Sequence, residues 1–167
     1  MTTAIDTNIL IALWHKNAIL SSAAQTALEA AFNRGNLVVA APVFAELLAA
    51  PGRTEAFVNS FLEDTAIAID WDLDEPVWRS AGRAFQSYAE RRRKQRDSGT
   101  RRILADFLIG AHAQTRGYRL LTLDERLYRV AFPNLTIEMS RYLATCHASA
   151  TEDSRSVGMG RRAPRRK

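Results

Sequence analysis

The feature that most constrains this chain is a set of short apolar runs of strand length separated by segments whose apolar positions recur at helical spacing. Residues 3–5, 37–41, 65–69 and 119–122 are such runs, and 136–139 is a fifth candidate. Strands that alternate with helices at this spacing form βαβ units, which demand a parallel sheet covered by helices on both faces. The class this predicts is α/β, a three-layer α/β/α sandwich around a central parallel sheet of four to five strands.

The intervening segments read as helices with identifiable ends. A first helix covers residues 9–14, and Ser21 or Ser22 is placed to cap the next, with apolar positions at Ala24, Ala27, Leu28, Ala31 and Phe32 and a stop at Gly35. Pro42 suits the first turn of a helix over 43–50, broken by Pro51-Gly52, and another helix covers 56–62. An acidic cap region at 72–75 precedes a long helix from Pro76 through Tyr88 into a run of arginines, interrupted at Asp97-Ser98-Gly99. A last helix covers 103–115 and ends near Gly117.

Length and charge sharpen this outline. With 167 residues and the single cysteine Cys146, the chain suits one domain with its own core, no internal disulfide and a reducing compartment, which the cytoplasm supplies. No run of about 18 apolar residues occurs, so a membrane span is not expected. The formal charge of +5 is unevenly distributed. Residues 151–167 hold six basic side chains against Glu152 and Asp153, and residues 91–102 hold seven against Asp97. The remainder is acidic. A folded domain over 1–148 and a basic tail over 149–167, too rich in Ser, Gly, Pro and Arg to bury a core, are the predicted units.

Four acids interrupt core-like sequence. Asp6 follows Ala4-Ile5, Glu46 lies within Val43-Phe44-Ala45-Glu46-Leu47-Leu48, Asp106 within Ile103-Leu104-Ala105-Asp106-Phe107-Leu108-Ile109, and Asp124 follows Leu120-Leu121-Thr122-Leu123. Asp6 and Asp124 fall at strand ends, and Glu46 and Asp106 in early helical turns. In an open parallel sheet these places converge on one edge, where ligands bind. Carboxylates gathered there repel unless some protonate or a cation neutralises them. All-oxygen ligation points to Mg²⁺ or Mn²⁺, because His15, His112 and His147 are scattered and Cys146 stands alone, which does not suit Zn²⁺. Such a cation suits phosphodiester hydrolysis.

Asp6-Thr7-Asn8 after the first strand, Glu46 in Pro-Val-Phe-Ala-Glu-Leu-Leu, the Asp106 segment running on through Gly110-Ala111-His112-Ala113, and Leu121-Thr122-Leu123-Asp124 together resemble the PIN domain, and within it the VapC-type toxins of toxin–antitoxin pairs. The resemblance covers about residues 3–139. It implies a PIN-like fold and an Mg²⁺- or Mn²⁺-dependent endoribonuclease in which Asp6, Glu46, Asp106 and Asp124 are the catalytic, metal-binding acids, with Thr7, Asn8 and Thr122 as polar neighbours. It also implies an RNA substrate, a small VapB-type antitoxin as partner, and a homodimer or a heterocomplex with that antitoxin. No family role attaches to the basic insert or the tail.

Each reading has a plainer rival. Asp6 or Asp106 could cap a helix, although Ser98 or Thr100 is the more ordinary cap for the second; Glu46 could be an exposed helical residue and Asp124 could close a turn. His112 lies six residues beyond Asp106, about 240° around the helix, so it reads as structural. Within the basic run, Arg101 and Arg102 are candidate RNA contacts through phosphate, against the plainer reading of a solvated helix end. Trp14, Trp71 and Trp78 read as packing residues, and Val43, Phe44, Leu47, Leu48, Ile9 and Leu13 as core or dimer contacts. Two alternatives to a ribonuclease remain: a non-catalytic RNA-binding PIN-like protein, and a PIN-like nuclease acting on structured DNA. An aspartyl phosphatase is less well matched, since Asn8 stands where its second aspartate would be.

Overall fold

In a computed structural model, which describes residues 1–95 and 103–139, the alternation becomes β1 (Thr2–Ile5), α1 (Thr7–Leu13), α2 (Ala18–Phe32), β2 (Asn36–Ala40), α3 (Ala41–Leu48), α4 (Glu55–Asp64), β3 (Ile67–Asp70), α5 (Glu75–Gln95), α6 (Leu104–Thr115), β4 (Arg119–Thr122), α7 (Glu125–Ala131) and β5 (Ile137–Met139). The five strands form one parallel sheet in the order β3-β2-β1-β4-β5. The chain therefore steps outward from β1 to β2 and β3, then crosses back past β1 to lay down β4 and β5. Right-handed crossovers put the helices of the two halves on opposite faces. Within each group, α1 packs on α2 and α3, and α3 on α4, while α5, α6 and α7 pack on one another; α3 and α6 also meet between the groups.

The central strands read as near-continuous apolar runs because both of their faces are covered. Ile5, Val39, Leu120 and Leu121 are all buried, and Ile9, Val43, Phe44 and Leu47 join them in the core, with Leu13 and Leu48 packed against it. The edge strand β5 is held by Glu138, which accepts from Arg119 at 2.8 Å and pairs with Arg34. Gly35 closes the α2–β2 turn at φ +150°, where a Cβ would stand 2.0 Å from the Met1 carbonyl oxygen, so no other residue allows the approach that gives the Asn36 N–H to Met1.

The helix ends depart from expectation in two places. Asn17, not Ser21 or Ser22, caps α2, accepting from the N–H groups of Ile19 and Leu20; both serines lie inside the helix. Asn is as good a cap as Ser, and Asn17 offers its Oδ1 to two N–H groups one turn ahead of the serines. The N-cap of α6 is Ile103 and makes no side-chain cap bond. The long basic helix continues to Gln95 as α5. Asp97-Ser98-Gly99, Thr100, Arg101, Arg102, Cys146, His147 and the tail over 149–167 lie outside the described residues. No helix among the described residues is long and apolar enough to cross a membrane.

Trp14 packs as its sequence context suggests, edge-on to Phe57 and Phe61 beneath Arg53. Trp71 and Trp78 do not. They are 61% and 50% exposed, Trp71 resting edge-on against Phe44. Trp71 lies in the turn between β3 and α5, where neither strand nor helix period indicates which way a side chain faces, and Trp78 lies in the first turn of α5, off the buried row of Val77, Ala81 and Ala84.

Candidate active site

The sheet order reverses between β1 and β4, and a crevice outside the carboxyl ends of the strands at such a point is where an open α/β sheet binds ligands. Asp6 is the first residue beyond β1, and its N–H donates to Leu121 O on β4 at 3.0 Å. It occupies the N-cap position of α1 with extended backbone (φ −76°, ψ 146°), yet its carboxylate caps nothing. The plainer reading of Asp6 as a helix cap is thus excluded.

Its carboxylate is held instead by side chains from both strand ends. Thr122, fully buried at the end of β4, donates from Oγ1 to Asp6 Oδ2 at 2.7 Å, and Asn8 Nδ2 donates to the same oxygen at 2.7 Å. Asn8 also donates to Thr122 Oγ1 at 3.1 Å, and its Oδ1 accepts from the Leu123 N–H at 3.0 Å. That last bond sets the amide orientation, because the N–H can only face an oxygen. Thr122 Oγ1 further accepts from the Asp124 N–H at 3.1 Å. The Asp6-Thr7-Asn8 and Thr122-Leu123-Asp124 segments are thereby locked together across 116 residues of chain.

Thr7 points the other way and donates from its hydroxyl to Glu46 Oε2 on α3. Asp106 lies in the first turn of α6, where the helix dipole favours a carboxylate. Charge then ties the three acids together. Burial above all pushes the Asp6 carboxyl up to about 6; the Thr122 hydroxyl and Tyr128 oppose the rise, and the charges of Asp106 and Glu46 add to it. Burial also raises Glu46, against the bond from Thr7 and with Asp106 assisting. Asp6, Glu46 and Asp106 therefore share one electrostatic field.

Asp124 is engaged differently. Its Oδ1 accepts from the Arg126 N–H at 3.2 Å and caps α7, and its connection to Asp6 runs through Thr122. His112 is structural, as its helical position implies: fully buried, its Nε2 stands 3.0 Å from Asp70 Oδ2 with Tyr118 edge-on to the ring. Burial would raise Asp70, but the hydrogen bonds from His112 and the Asp72 N–H and the charges of His112 and Arg116 outweigh it and hold the carboxyl low.

Two participants escaped the sequence reading. Tyr128 on α7 is buried, and the negative groups its phenol senses are Asp6, Asp106 and Glu46. Gly110, one turn after Asp106, lets α7 approach α6: a Cβ there would lie 2.3 Å from the Phe132 ring and 3.0 Å from that of Tyr128. A glycine inside an otherwise apolar helix is a signal of close approach, and it was present in the sequence.

Among the described residues, no three His, Cys, Asp or Glu side chains stand close enough to enclose a metal ion by themselves. The donor set is nonetheless the all-oxygen one of a hard cation, and the mutual repulsion that helps lift Asp6 is what such a cation relieves. Mg²⁺ keeps several waters and needs only one or two protein carboxylates, so the arrangement fits it better than a fully protein-ligated ion.

A sequence model of the PIN domain matches residues 3–133. The chain belongs to the PIN domain family. No curated protein sequence matches it. Among solved structures, this PIN domain is similar to a chain of the VapBC2 complex from Rickettsia felis bound to a promoter DNA fragment, at 20% identity and a TM-score of 0.61, covering 83% of this chain and 98% of that one. It is similar also to VapBC-1 from Haemophilus influenzae, at 17% identity, a TM-score of 0.58 and the same coverage, and to FitAcB from Neisseria gonorrhoeae, at 20% identity, a TM-score of 0.54, and 81% and 95% coverage. These likenesses establish the fold.

Proposed function

We propose that this PIN domain protein is an Mg²⁺- or Mn²⁺-dependent endoribonuclease and the toxin of a VapBC-type pair. The observation that carries this reading is the convergence of Asp6, Glu46 and Asp106 in one field at the switch point of the sheet, with Asp6 oriented by Thr122 and Asn8. Of the acids Asp6, Glu46, Asp106 and Asp124, one or two would hold the cation directly and the others would act on it through its retained waters. Bound there, Mg²⁺ or Mn²⁺ supplies a Lewis acid that lowers the pKa of water and offsets charge developing on the phosphate. Asp6 is kept from rotating by its two bonds on Oδ2. Glu46, engaged at Oε2 by Thr7 and with its pKa raised, is suited to take a proton from the attacking water.

Purified full-length protein is expected to cut single-stranded RNA in Mg²⁺ or Mn²⁺ and to stop in EDTA. Activity persisting in EDTA would overturn the cation requirement, and cleavage of branched or flapped DNA with RNA left intact would favour the DNA nuclease. That several structural neighbours are VapBC complexes supports a small antitoxin as partner, checked by growth arrest on expression and its relief by Asp6→Asn or by a co-expressed neighbouring gene.

RNA also needs phosphate contacts. A cleft of about 330 Å³ between α5 and the α7–β5 connection is lined by Ser80, Arg83, Ser87, Arg91 and Asn134, and neither arginine forms an ion pair among the described residues. Replacing Arg83 and Arg91 together with Ala is expected to flatten the slope of log affinity against log salt by roughly 1.4, at about 0.7 per phosphate contact on a single strand. An unchanged slope assigns them to solvent. Arg101 and Arg102 keep their candidacy as RNA contacts on sequence alone.

A further inference from the structure

We propose that Tyr128 is a positioning residue of the carboxylate centre, its hydroxyl steadying Asp6 in the orientation in which that carboxylate meets a divalent cation. The inference rests on the nuclease reading above and adds a residue to it.

The placement of Tyr128 is built by two separate features. Asp124 caps α7 through the Arg126 N–H and so sets where the helix begins. Gly110 lets α7 lie against α6 one turn beyond Asp106, with the rings of Tyr128 and Phe132 over the glycine. The phenol then faces Asp6, Asp106 and Glu46 from α7, an element that contributes no acid to the shared field.

The hydroxyl is the part that packing does not explain. Tyr128 is 2% exposed, and its hydroxyl oxygen is buried with no hydrogen-bond partner among the described residues, while the carboxylates it faces include Asp6. A buried hydroxyl left in that state is a net cost, which phenylalanine would avoid while filling the same space. A phenol carries its proton at neutral pH, so the hydroxyl facing Asp6 and Asp106 serves as a donor. The two firm bonds to Asp6 both fall on Oδ2, and among the described residues Oδ1 receives none of comparable geometry. A donor aimed at this carboxylate restricts its remaining freedom once the carboxylate is ionised and bridging to a cation, as the partners of metal-bound carboxylates do.

The test is Tyr128→Phe in the full chain, with Mn²⁺ affinity by calorimetry, thermal unfolding in EDTA, and RNA cleavage kinetics. Expected are a Tm equal to or above that of the wild type, Mn²⁺ binding about tenfold weaker, and kcat about tenfold lower with KM for RNA unchanged. Tyr128→Leu, which also removes the ring, should unfold at a lower temperature, separating packing from the hydroxyl. Unaltered Mn²⁺ affinity in Tyr128→Phe, or a Tm several degrees lower, overturns the proposal. The calorimetric and thermal arms need no turnover: a wild type that binds Mn²⁺ and cleaves RNA alongside an indistinguishable Tyr128→Phe defeats the role of Tyr128 alone, whereas a wild type that binds no Mn²⁺ defeats the nuclease reading with it.

Discussion

Asp6→Asn is expected to abolish RNA cleavage and, in the same molecule, to make the cation-free protein more stable at neutral pH. The carboxyl titrates at about 6 in the folded chain, against about 3.9 for an unperturbed aspartate. The folded state thus binds this proton more tightly than the unfolded state. The resulting stability is fully present below about pH 4 and is lost as pH rises through 6. A shift of about two units corresponds to on the order of 3 kcal/mol. Asparagine carries no charge at any pH and keeps an oxygen for Thr122 and Asn8. Glu46 moves in the same direction and adds to the slope, while Asp70, held low, acts in the opposite sense below the ordinary carboxylate range.

Urea unfolding in EDTA at pH 5 and pH 7.5 measures this directly. The wild type should lose stability between the two and Asp6→Asn should lose distinctly less. Mg²⁺ at pH 7.5 should then stabilise the wild type more than the variant, by mass action on the folded state. A cation-free wild type that gains stability from pH 5 to 7.5 would contradict the burial of an ionised Asp6. Retained cleavage in Asp6→Asn would remove it from the chemistry.

Gly110→Ala should be among the most damaging small substitutions in the chain. In a helix interior alanine ordinarily stabilises by about 1 kcal/mol relative to glycine. Here the new methyl would stand 2.3 and 2.6 Å from two Phe132 ring carbons and 3.0 Å from a Tyr128 ring carbon. Both rings are only 2% exposed, so neither can swing into solvent. The whole of α7 has to move off α6. Overpacking of this kind costs about 1–3 kcal/mol and sometimes more, so a net loss of about 2 kcal/mol is expected after the gain in propensity. The displacement also carries Tyr128 and the Asp124 cap away from the acids, and cleavage should fall by more than the loss of folded protein accounts for. Equal or greater stability in urea would show that the ring contacts are slack.

How far the site was legible can be judged residue by residue. Asp6, Glu46 and Asp106 were visible because each interrupts a run of core residues, a local anomaly that survives in one dimension. Thr122 and Asn8 were visible as neighbours of acids, but not as the two donors on one carboxylate oxygen. Asp124 looked like its companions in sequence and proved to spend an oxygen on the α7 N-terminus, since a residue just before a helix faces both choices and only the geometry selects. Tyr128 sits in Leu127-Tyr128-Arg129-Val130, where it resembles any core aromatic. The exposure of Trp71 was likewise beyond periodicity, which is silent in a turn.

The sequence by itself determined that strands and helices alternate, that the sheet is parallel and buried, and that acids stand at the strand ends and helix starts. These properties follow from spacing and composition within windows of a few residues, where apolar period and capping act. Only the tertiary structure decided that β1 lies between β2 and β4, and hence that Asp6 meets Thr122 from 116 residues away while α7 brings Tyr128 in over Gly110. The order of strands is set by how whole faces pack and in which direction each crossover turns, and no local period carries that choice.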